Sequence, residues 1–321
     1  MGQIFVRFFR KGEAKMLHGI LPLYKPKGFT SHDCVMKARK LLKIKKIGHT
    51  GTLDPNVEGV LPICIGEATK IIPFLLSLQK VYIADVSLGK STTTEDSDGE
   101  VVEEKPVIRP PSDNEVYHAL EQFKGEIKQT PPIYSAVKVK GKRLYEYARQ
   151  GIDIERPERH VTIYDIEKLA LSEQKENTIF RIKVTCSKGT YIRTLCVDIG
   201  KKLGFPSYMS YLQRIESDTI TLQETFTFAE IETKLNEGKI DELILPIERG
   251  VKHLPSFEVD AKIRTKILQG QKLPISEKVP TTSPFKVMYN NKLLAIYEKH
   301  QNNEHEIKPV RVFNVHKNVG E

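Results

Sequence analysis

Apolar and polar residues alternate or recur at helical spacing along most of the chain, and these patterns predict many short elements. Residues 80–88 alternate as a half-buried strand should, and apolar residues recur at helical spacing from Val35 to Leu41. Thr30 and Asp33 precede this helix as a capping-box-like pair, with Asp in place of the usual Glu. We predict helices at 31–43, 67–78, 113–124, 191–203 and 227–239, with a kink or a restart of the second at Pro73 as the alternative to one continuous helix. Strands are predicted at 18–23, 80–88, 161–171, 178–186 and, as a pair, 208–221.

The order of these elements indicates the fold class. Strands and helices mix irregularly, without a strict βαβ rhythm and without a dinucleotide-binding fingerprint. We therefore predict an α+β fold with a mixed, mostly antiparallel central sheet flanked by helices. Beyond Leu254-Pro255 the pattern changes to short strands, prolines and a turn at Asn290-Asn291, which predicts a small β-rich domain over residues 251–321.

Charge adds a preference for a polyanionic partner. The chain has 321 residues, enough for one large and one small domain. Its 50 Lys and Arg residues against 41 Asp and Glu residues give a net charge of +9. Residues 251–321 hold 12 basic and 7 acidic residues, hence +5 of the +9. Such clustering favours nucleic-acid binding by the C-terminal domain.

Several classes of site are not supported by the sequence. The four cysteines show no Cys-x-x-Cys spacing and no paired histidines, so we expect no metal site and the reduced thiols of a cytoplasmic protein. Glu95, Asp96 and Asp98 lack calcium-loop spacing, and Asp98-Gly99 predicts a hairpin turn. No stretch approaches the roughly 18 apolar residues of a membrane span. Residues 1–16 are too charged for a signal peptide, and we expect a disordered extension.

The run Gly48-His49-Thr50-Gly51-Thr52-Leu53-Asp54-Pro55 is a candidate for chemistry. Its glycines permit unusual backbone angles and Pro55 keeps Asp54 out of the helical region, so we predict a stiff loop rather than a helix or strand. A carboxylate on a rigid loop suits a nucleophile or a general base. An ordinary Asx-type turn at Asp54-Pro55 is the competing interpretation.

Two stretches concentrate basic side chains. Residues 37–46 contain six bases and no acid, directly before the Asp54 run. Residues 129–143 combine Tyr134 with Lys138, Lys142 and Arg143 in a proline-stiffened segment, as suits base stacking and phosphate contact. A solvated charged surface is the competing interpretation of both stretches.

Three further features have competing interpretations. Tyr82 lies on a predicted strand, where an aromatic residue usually belongs to the core. Arg193 stands in the first turn of a helix, where the dipole disfavours a cation, so it needs an acidic partner, either Asp198 or a distant one. Gly89-Lys90-Ser91 resembles the end of a phosphate loop, but Ala84 occupies the position of the required glycine, so we exclude a nucleotide cofactor.

Several motifs occur together in a familiar order and spacing. They are Lys25-Pro26-x-Gly28, the run Gly48 to Pro55, Gly66-Glu67-Ala68-Thr69-Lys70, Pro131-Pro132-x-Tyr134-Ser135-Ala136-x-Lys138 and Lys188-Gly189-Thr190-Tyr191-Ile192-Arg193. Through these motifs the chain resembles the TruB family of tRNA pseudouridine synthases from about residue 17 to 321. The resemblance implies a catalytic domain of pseudouridine synthase fold at 17–250, with an RNA-gripping insertion at about 129–151, and a PUA-like RNA-binding domain at 251–321.

The resemblance also implies a reaction. Uridine 55 in the T-loop of tRNA would be flipped out and isomerised to pseudouridine by a stand-alone, monomeric enzyme without a cofactor. Asp54 matches the family's nucleophile, and Arg193 matches the cation that pairs with it and is expected to lower its pKa. Tyr82 matches the tyrosine that stacks on the uracil.

The remaining implied contacts concern the RNA and the pocket wall. His49 matches the histidine that enters the space left by the flipped base, and Leu212 matches an apolar residue that lines the pocket. Phosphate contacts are implied for Lys25, for the bases at 37–46, and for the cluster Lys138, Lys142 and Arg143.

Two questions stay open at the level of the sequence. A non-catalytic tRNA-binding or tRNA-folding protein on the same scaffold is the alternative function, although Asp54, Tyr82 and Arg193 together argue against it as the sole role. The sequence also leaves open whether Asp54 attacks the uracil ring or the ribose.

Overall fold

The computed structural model describes residues 17–75, 79–170 and 178–314. The extension predicted at 1–16 lies outside the described residues, as do the ends of the elements predicted at 67–78 and 161–171. Among the described helices, none is both long and apolar enough to span a membrane.

The larger sheet is mixed and mostly antiparallel, which confirms the predicted fold class. The strands of the protein, in chain order, are β1 (Gly19–Lys25), β2 (Ile47–His49), β3 (Glu58–Ile65), β4 (Lys80–Leu88), β5 (Lys90–Thr92), β6 (Val101–Glu104), β7 (Gly125–Gln129), β8 (Lys138–Val139), β9 (Lys142–Arg143), β10 (Arg159–Leu169), β11 (Ile179–Cys186), β12 (Ser207–Ser217), β13 (Ile220–Thr221), β14 (Ser256–Glu258), β15 (Leu273–Pro274), β16 (Phe285–Tyr289), β17 (Lys292–Lys299) and β18 (Glu306–Val312). The larger sheet has the order β1-β3-β12-β4-β11-β10-β7, with β2 paired to β3 and β13 to β12. In it β12 runs parallel to β3, and the remaining pairs are antiparallel.

Helices pack against this sheet. The helices of the protein, in chain order, are α1 (Ser31–Leu42), α2 (Ile72–Leu75), α3 (Asp113–Glu121), α4 (Leu144–Arg149), α5 (Ile192–Leu203), α6 (Phe228–Asn236), α7 (Ile247–Gly250) and α8 (Ala261–Leu268), with 3-10 turns at Gly66–Ile71, Leu222–Glu224 and Ile240–Leu243. α5 packs against β4 and β12, and α3 packs against α5 and β10. α1 and α6 contribute Val35 and Phe228 to a second core with Leu21 and Ile63.

Two local predictions are wrong in detail. Gly48 and His49 lie in β2 rather than in a loop, because β3 offers a second edge there and pairs with them through Cys64 and Ile63. The helix predicted at 67–78 starts as a 3-10 turn, and α2 follows only from Ile72. Pro73 fits the first turn of α2, but it could not lie inside one continuous helix.

The second sheet lies in the C-terminal part of the chain and has the order β14-β16-β17-β18-β15. This confirms the predicted β-rich character of that region. It has a core of its own around Phe285 and Tyr297, and it also shares a cluster in which Met288 and Leu293 pack with Ile71. The domain boundary at residue 250 stays a prediction, since the two sheets are joined by a common core.

Glu67 adds a polar connection between the two sheets. Its carboxylate accepts hydrogen bonds from Lys46 at 2.8 Å, from Lys70 at 2.6 Å and from the backbone amide of Asn314 at 2.9 Å. Burial alone would raise the pKa of Glu67, but these three donors together lower it to about 2. Lys70 also donates to the carbonyl of Val312 at 2.6 Å. The end of β18 is thus fixed to the turn that follows β3.

Candidate active site

The loop that carries Asp54, residues 50–57, is fixed by buried polar contacts to its backbone. The Ser31 hydroxyl accepts from the amide of Leu53 at 2.9 Å and donates to its carbonyl at 3.2 Å. Arg214 is fully buried and donates to the carbonyl of Gly51 at 3.2 Å. Gly51 has φ +80°, a conformation that other residues rarely adopt, and a Cβ there would lie 3.3 Å from the Arg214 guanidinium. The loop position is therefore set by its surroundings.

Asp54 occupies a turn without using its side chain to build that turn. The amide of Val57 donates to the carbonyl of Asp54 at 3.1 Å, and Pro55 lies at the second position, where proline is favoured. Asp54-Pro55 thus forms a turn, but it is a backbone β-turn and not the Asx-type turn of the competing interpretation. The backbone bond closes the turn, and the carboxylate points to Arg193.

Lys25 does not lie where a phosphate could reach it, so the implied RNA contact is wrong. Its side chain is 0% exposed, and its ammonium group donates to the carbonyls of Pro55 at 2.9 Å, Val57 at 2.5 Å and Pro26 at 3.1 Å. These three acceptors use all three of its N–H groups. Lys25 therefore holds the two ends of the turn that presents Asp54.

A second buried lysine lies on the other side of the loop. Lys80, at the start of β4, is 3.6 Å from the carboxylate of Asp218, which also accepts from the Thr50 hydroxyl at 3.3 Å. Burial lowers the pKa of Lys80, and the charge of Asp218 opposes that change. The pair connects the Asp54 loop to the end of β12.

The Asp54 loop forms one wall of a cavity of about 250 Å³, near the lower end of ligand pockets at about 300–1,000 Å³. The structure brings four of the residues predicted for the site to this cavity: Asp54, Tyr82, Arg193 and Leu212. Its other lining residues are Gly51, Thr52, Leu53, Val57, Lys80, Ser135, Ala136, Lys188, Gly189, Thr190, Tyr191, Ile192 and Arg214. The cavity thus combines an apolar floor with one carboxylate and several cations.

Arg193 joins three segments at the cavity. One nitrogen of its guanidinium lies 3.1 Å from the carboxylate of Asp54, and the other lies 3.5 Å from that of Asp96. The same two nitrogens donate to the carbonyls of Tyr134 at 3.0 Å and Thr94 at 2.9 Å. The acidic partners of this helix-start arginine are therefore distant in sequence, and Asp198 instead lies 3.8 Å from Lys201.

The pKa of Asp54 is raised, not lowered as the resemblance leads us to expect. Although 46% of its side chain is exposed, the carboxylate lies in a concave site, and the surrounding protein raises its pKa by withholding water. Arg193 lowers the pKa but does not outweigh this effect, and Asp96 raises it further. Arg193 thus limits a rise that burial would otherwise make larger.

Tyr82 and Leu212 form the apolar floor of the cavity. Both are 8% exposed and belong to the same core cluster as Ile192, the first residue of α5. Burial raises the pKa of the Tyr82 hydroxyl. Arg214 lies opposite Tyr82 on the adjacent strand β12, and its positive charge opposes this rise. Tyr82 is therefore both a core residue and a cavity residue.

The other residues predicted to contact RNA are not among the described residues that line the cavity. His49 is a half-buried residue of β2 at the entrance to the loop, where burial lowers its pKa and the charge of Arg214 lowers it further. Lys138, Lys142 and Arg143 are exposed on the β8–β9 hairpin. Lys142 lies 6.0 Å from the ring centre of Tyr147 and Arg143 lies 5.8 Å from that of Tyr145.

Sequence reasoning missed Asp96 and Arg214. The hairpin between β5 and β6 was predicted, but the contacts of its acidic residues with the site were not. Asp96 lies 3.5 Å from Arg193. Glu95 accepts a hydrogen bond from Thr194 at 2.6 Å, and Asp98 accepts one from Asn56 at 2.8 Å. Three acids around one predicted turn were the available signal for Asp96. Arg214 gave no signal, because nothing local distinguishes a buried arginine within a strand from an exposed one.

A larger cavity, of about 640 Å³, lies between residues 105–122 and the C-terminal end of α5. It contains none of the residues predicted for the site and no carboxylate beside a buried cation. The smaller cavity therefore has the chemistry of a reaction site despite its size. Among the described residues, no group of three or more His, Cys, Asp or Glu side chains lies together as a metal site would require.

Comparisons with known proteins point in one direction. The family model "TruB family pseudouridylate synthase (N terminal domain)" matches residues 39–192, and "tRNA pseudouridylate synthase B C-terminal domain" matches 193–252. The chain is 52% identical to tRNA pseudouridine synthase B of Oceanobacillus iheyensis, over 92% of this chain and 98% of that protein. It is 49% identical to tRNA pseudouridine synthase B of Bacillus subtilis, again over 92% and 98%.

Solved structures of the same fold also match. One chain, from a Cbf5-Nop10-Gar1 complex, has a TM-score of 0.70 and 26% identity, over 92% of this chain and 84% of that one. Another, from an archaeal box H/ACA sRNP Nop10-Cbf5 complex, has a TM-score of 0.68 and 23% identity, over 94% and 88%.

Proposed function

Because the chain belongs to the TruB family of pseudouridylate synthases, we propose that it isomerises uridine 55 in the T-loop of tRNA to pseudouridine, with Asp54 as nucleophile. The similar proteins named tRNA pseudouridine synthase B match over nearly their whole length, which supports tRNA as the substrate. They also support an isomerase rather than a binding protein alone.

One observation carries the proposal: a carboxylate accessible from a small cavity lies 3.1 Å from a buried arginine. Tyr82 and Leu212 form an apolar floor on which a pyrimidine ring can lie. The cavity holds a base only after that base has left its stack, so the uridine must flip out of the T-loop. His49, at the entrance to the Asp54 loop, is suited to occupy the vacated space.

The reaction needs no second substrate. The N1–C1′ bond breaks, the uracil turns in the pocket, and a C5–C1′ bond forms, while C5 loses a proton and N1 gains one. A carboxylate that adds to the nucleotide and leaves again divides this difficult exchange into two easier steps. Asp54 must be ionised to add, and Arg193 holds it in place and favours its charged form.

The same geometry serves attack at C6 of the uracil or at C1′ of the ribose. In both cases electrons move onto the uracil ring as the old bonds weaken, so the demands on the pocket are alike. Tyr82 lies beneath the ring and its hydroxyl, whose pKa is raised, stays protonated at neutral pH. It is therefore placed to pass a proton rather than to carry a charge.

We assign RNA binding to exposed bases outside the cavity. Lys138, Lys142 and Arg143 form a cationic edge on the 129–151 segment. The basic region at residues 251–321, which contains the second sheet, is the second proposed RNA-binding surface, of PUA-like type. We propose a monomer, and since the isomerisation transfers neither electrons nor a group to a second molecule, we propose that it needs no cofactor. We also place the enzyme in the cytoplasm, where its tRNA substrate is found.

The test is incubation of the full-length protein with an unmodified tRNA transcript, followed by mapping of pseudouridine at single-nucleotide resolution. We expect product at uridine 55 and at no other uridine. Tight tRNA binding without product would instead support the non-catalytic scaffold, and product at other positions alone would contradict the assigned specificity.

A further inference from the structure

Ser135 lies in the wall of the cavity and has no role in the chemistry assigned above. The residue is only 6% exposed and lines the same cavity as Asp54 and Tyr82. Its hydroxyl is buried and makes no hydrogen bond to any residue in the described part of the chain. A buried hydroxyl without a partner destabilises the folded state, so its presence points to a partner that arrives with a ligand.

The segment around Ser135 is held in place on both sides. Arg193 donates to the carbonyl of Tyr134 at 3.0 Å, and the amide of Tyr145 donates to the carbonyl of Ser135 at 3.1 Å. The amide of Leu144 donates to the carbonyl of Val137 at 2.8 Å. These three bonds hold the backbone of residues 134–137 in place beside the cavity, and one of them comes from Arg193, the partner of Asp54.

Two other polar side chains of the cavity wall, Thr190 and Arg214, already have protein partners. The Thr190 hydroxyl donates to the carbonyl of Ser187 at 2.9 Å, and Arg214 donates to the carbonyls of Val60 and Gly51. A uracil ring on the apolar floor brings two carbonyl oxygens that lose their water and need donors. Ser135 supplies a donor that is already desolvated and fixed.

Building on the proposed function, we infer that the Ser135 hydroxyl donates a hydrogen bond to a carbonyl oxygen of the flipped uracil. As the N1–C1′ bond breaks, negative charge spreads onto these oxygens, so a fixed donor stabilises the transition state more than the ground state. Ser135 is then a substrate-contacting residue that supports both binding and bond cleavage, whichever carbon Asp54 attacks.

The first test compares Ser135→Ala with a matched control, Ser207→Ala. Ser207 is fully buried at the start of β12, and its hydroxyl donates to the carbonyl of Cys196 at 2.9 Å. For Ser135→Ala we expect kcat/KM on tRNA to fall about ten- to hundred-fold, mostly through kcat, with an unchanged or higher thermal midpoint. For Ser207→Ala we expect a lower thermal midpoint and unchanged kcat/KM.

The two variants separate a substrate contact from a structural role. If Ser135→Ala lowers the thermal midpoint as Ser207→Ala does and retains wild-type kcat/KM, the hydroxyl serves folding and the inference is wrong. A wild-type enzyme that forms no pseudouridine overturns the proposed function and this inference with it. Normal turnover by Ser135→Ala beside an active wild type overturns this inference alone.

The second test changes the acceptor on the RNA. Transcripts with 2-thiouridine or 4-thiouridine at the target replace one carbonyl oxygen with sulfur, a weak acceptor. We expect one of them to slow the wild type about as much as Ser135→Ala does on uridine, and to slow Ser135→Ala no further. Equal additional slowing of both enzymes by both thio substitutions would show that no such contact exists.

Discussion

The Asp54 loop and the 129–151 segment use their basic residues in opposite ways. Around the loop, Lys25 and Arg214 are fully buried and donate to backbone carbonyls of the residues that flank or form the turn. On the 129–151 segment, Lys138 and Lys142 lie exposed on a two-stranded hairpin. The basic residues beside the Asp54 loop thus hold its backbone in position. The basic residues proposed to contact RNA are exposed to water, so the folded protein pays no desolvation cost for them.

This difference indicates that the site depends on the exact position of the Asp54 loop more than on the net charge around it. A buried lysine whose ammonium group donates to three backbone carbonyls cannot contact a phosphate, whereas an exposed lysine can. Substitutions around the Asp54 loop should therefore change turnover and stability. Substitutions on the 129–151 segment should change the affinity for tRNA and its salt dependence.

The largest effect should come from the nucleophile itself. Asp54→Asn removes the charge and the ability to add covalently while it keeps the shape, so we expect kcat to fall at least about a thousand-fold. Binding of tRNA, measured by filter retention, should stay within about two-fold of wild type because the cationic hairpin is untouched. Residual turnover near the wild-type rate would remove Asp54 from the mechanism.

Arg193→Lys should have the second-largest effect on turnover. One guanidinium nitrogen faces Asp54 and the other faces Asp96, and a single ammonium group cannot reach both carboxylates and the carbonyls of Thr94 and Tyr134. We expect kcat to fall about a hundred-fold in single-turnover assays. A change of less than three-fold would mean that a point charge suffices, and that the bridge between the two carboxylates is dispensable.

Lys25→Met tests the buried side of the comparison through stability. The change leaves carbonyls of Pro55 and Val57 without their donor, so we expect the free energy of unfolding in urea to fall by about 2–4 kcal/mol. Lys27→Met, at an exposed neighbour, is the control and should change it by less than about 0.5 kcal/mol. Equal losses in both variants would contradict the anchoring role of Lys25.

Substitution of the exposed lysines on the β8–β9 hairpin should weaken tRNA binding. We expect the double substitution Lys138→Ala and Lys142→Ala to raise KM about three- to ten-fold, to leave kcat unchanged, and to reduce the slope of log affinity against log salt by about one to two. Lys239→Ala removes one exposed lysine after α6 and is the control for loss of surface charge outside the hairpin, with each single substitution, Lys138→Ala and Lys142→Ala, as its charge-matched counterpart. An unchanged salt slope in the double variant would show that the hairpin does not meet phosphates.

The smallest effect concerns pH. Asp54 acts in its ionised form, and burial raises its pKa above that of an ordinary aspartate. As pH falls through that raised pKa, the carboxylate gains a proton and kcat/KM should decline, at a higher pH than an exposed aspartate would cause. Rates that stay level down to the pKa of a free aspartate would show that Arg193 outweighs burial.

Local signals carried much of the fold. The capping pair Thr30 and Asp33 begins α1, with both of its hydrogen bonds formed. The strand predicted at 80–88 is β4, but it is buried at all residues except Ile83 and does not alternate between buried and exposed, because it lies in the middle of the sheet. These elements were predictable because their signals lie within a few residues of one another. The strand at Gly48 and His49 was not, because β3 supplies its hydrogen bonds and lies beyond the loop.

The site was predictable only in part, for a related reason. The motifs that resemble the TruB family include Asp54 and Arg193, and the structure brings these two side chains together. Burial, however, follows from the tertiary fold. Lys25 in its motif could equally have met a phosphate, and only its position beneath the turn shows that it meets backbone carbonyls instead.

The core that joins the two sheets has a practical consequence for any attempt to divide the protein. A fragment that ends at residue 250 would lose Met288, Leu293 and Phe313, and would expose the apolar side chains of Ile71 and Leu75 to water. It would also leave Glu67 without the amide of Asn314. A fragment of residues 1–250 is therefore a poor candidate for expression as a minimal enzyme, because truncation would produce an aggregation-prone apolar surface.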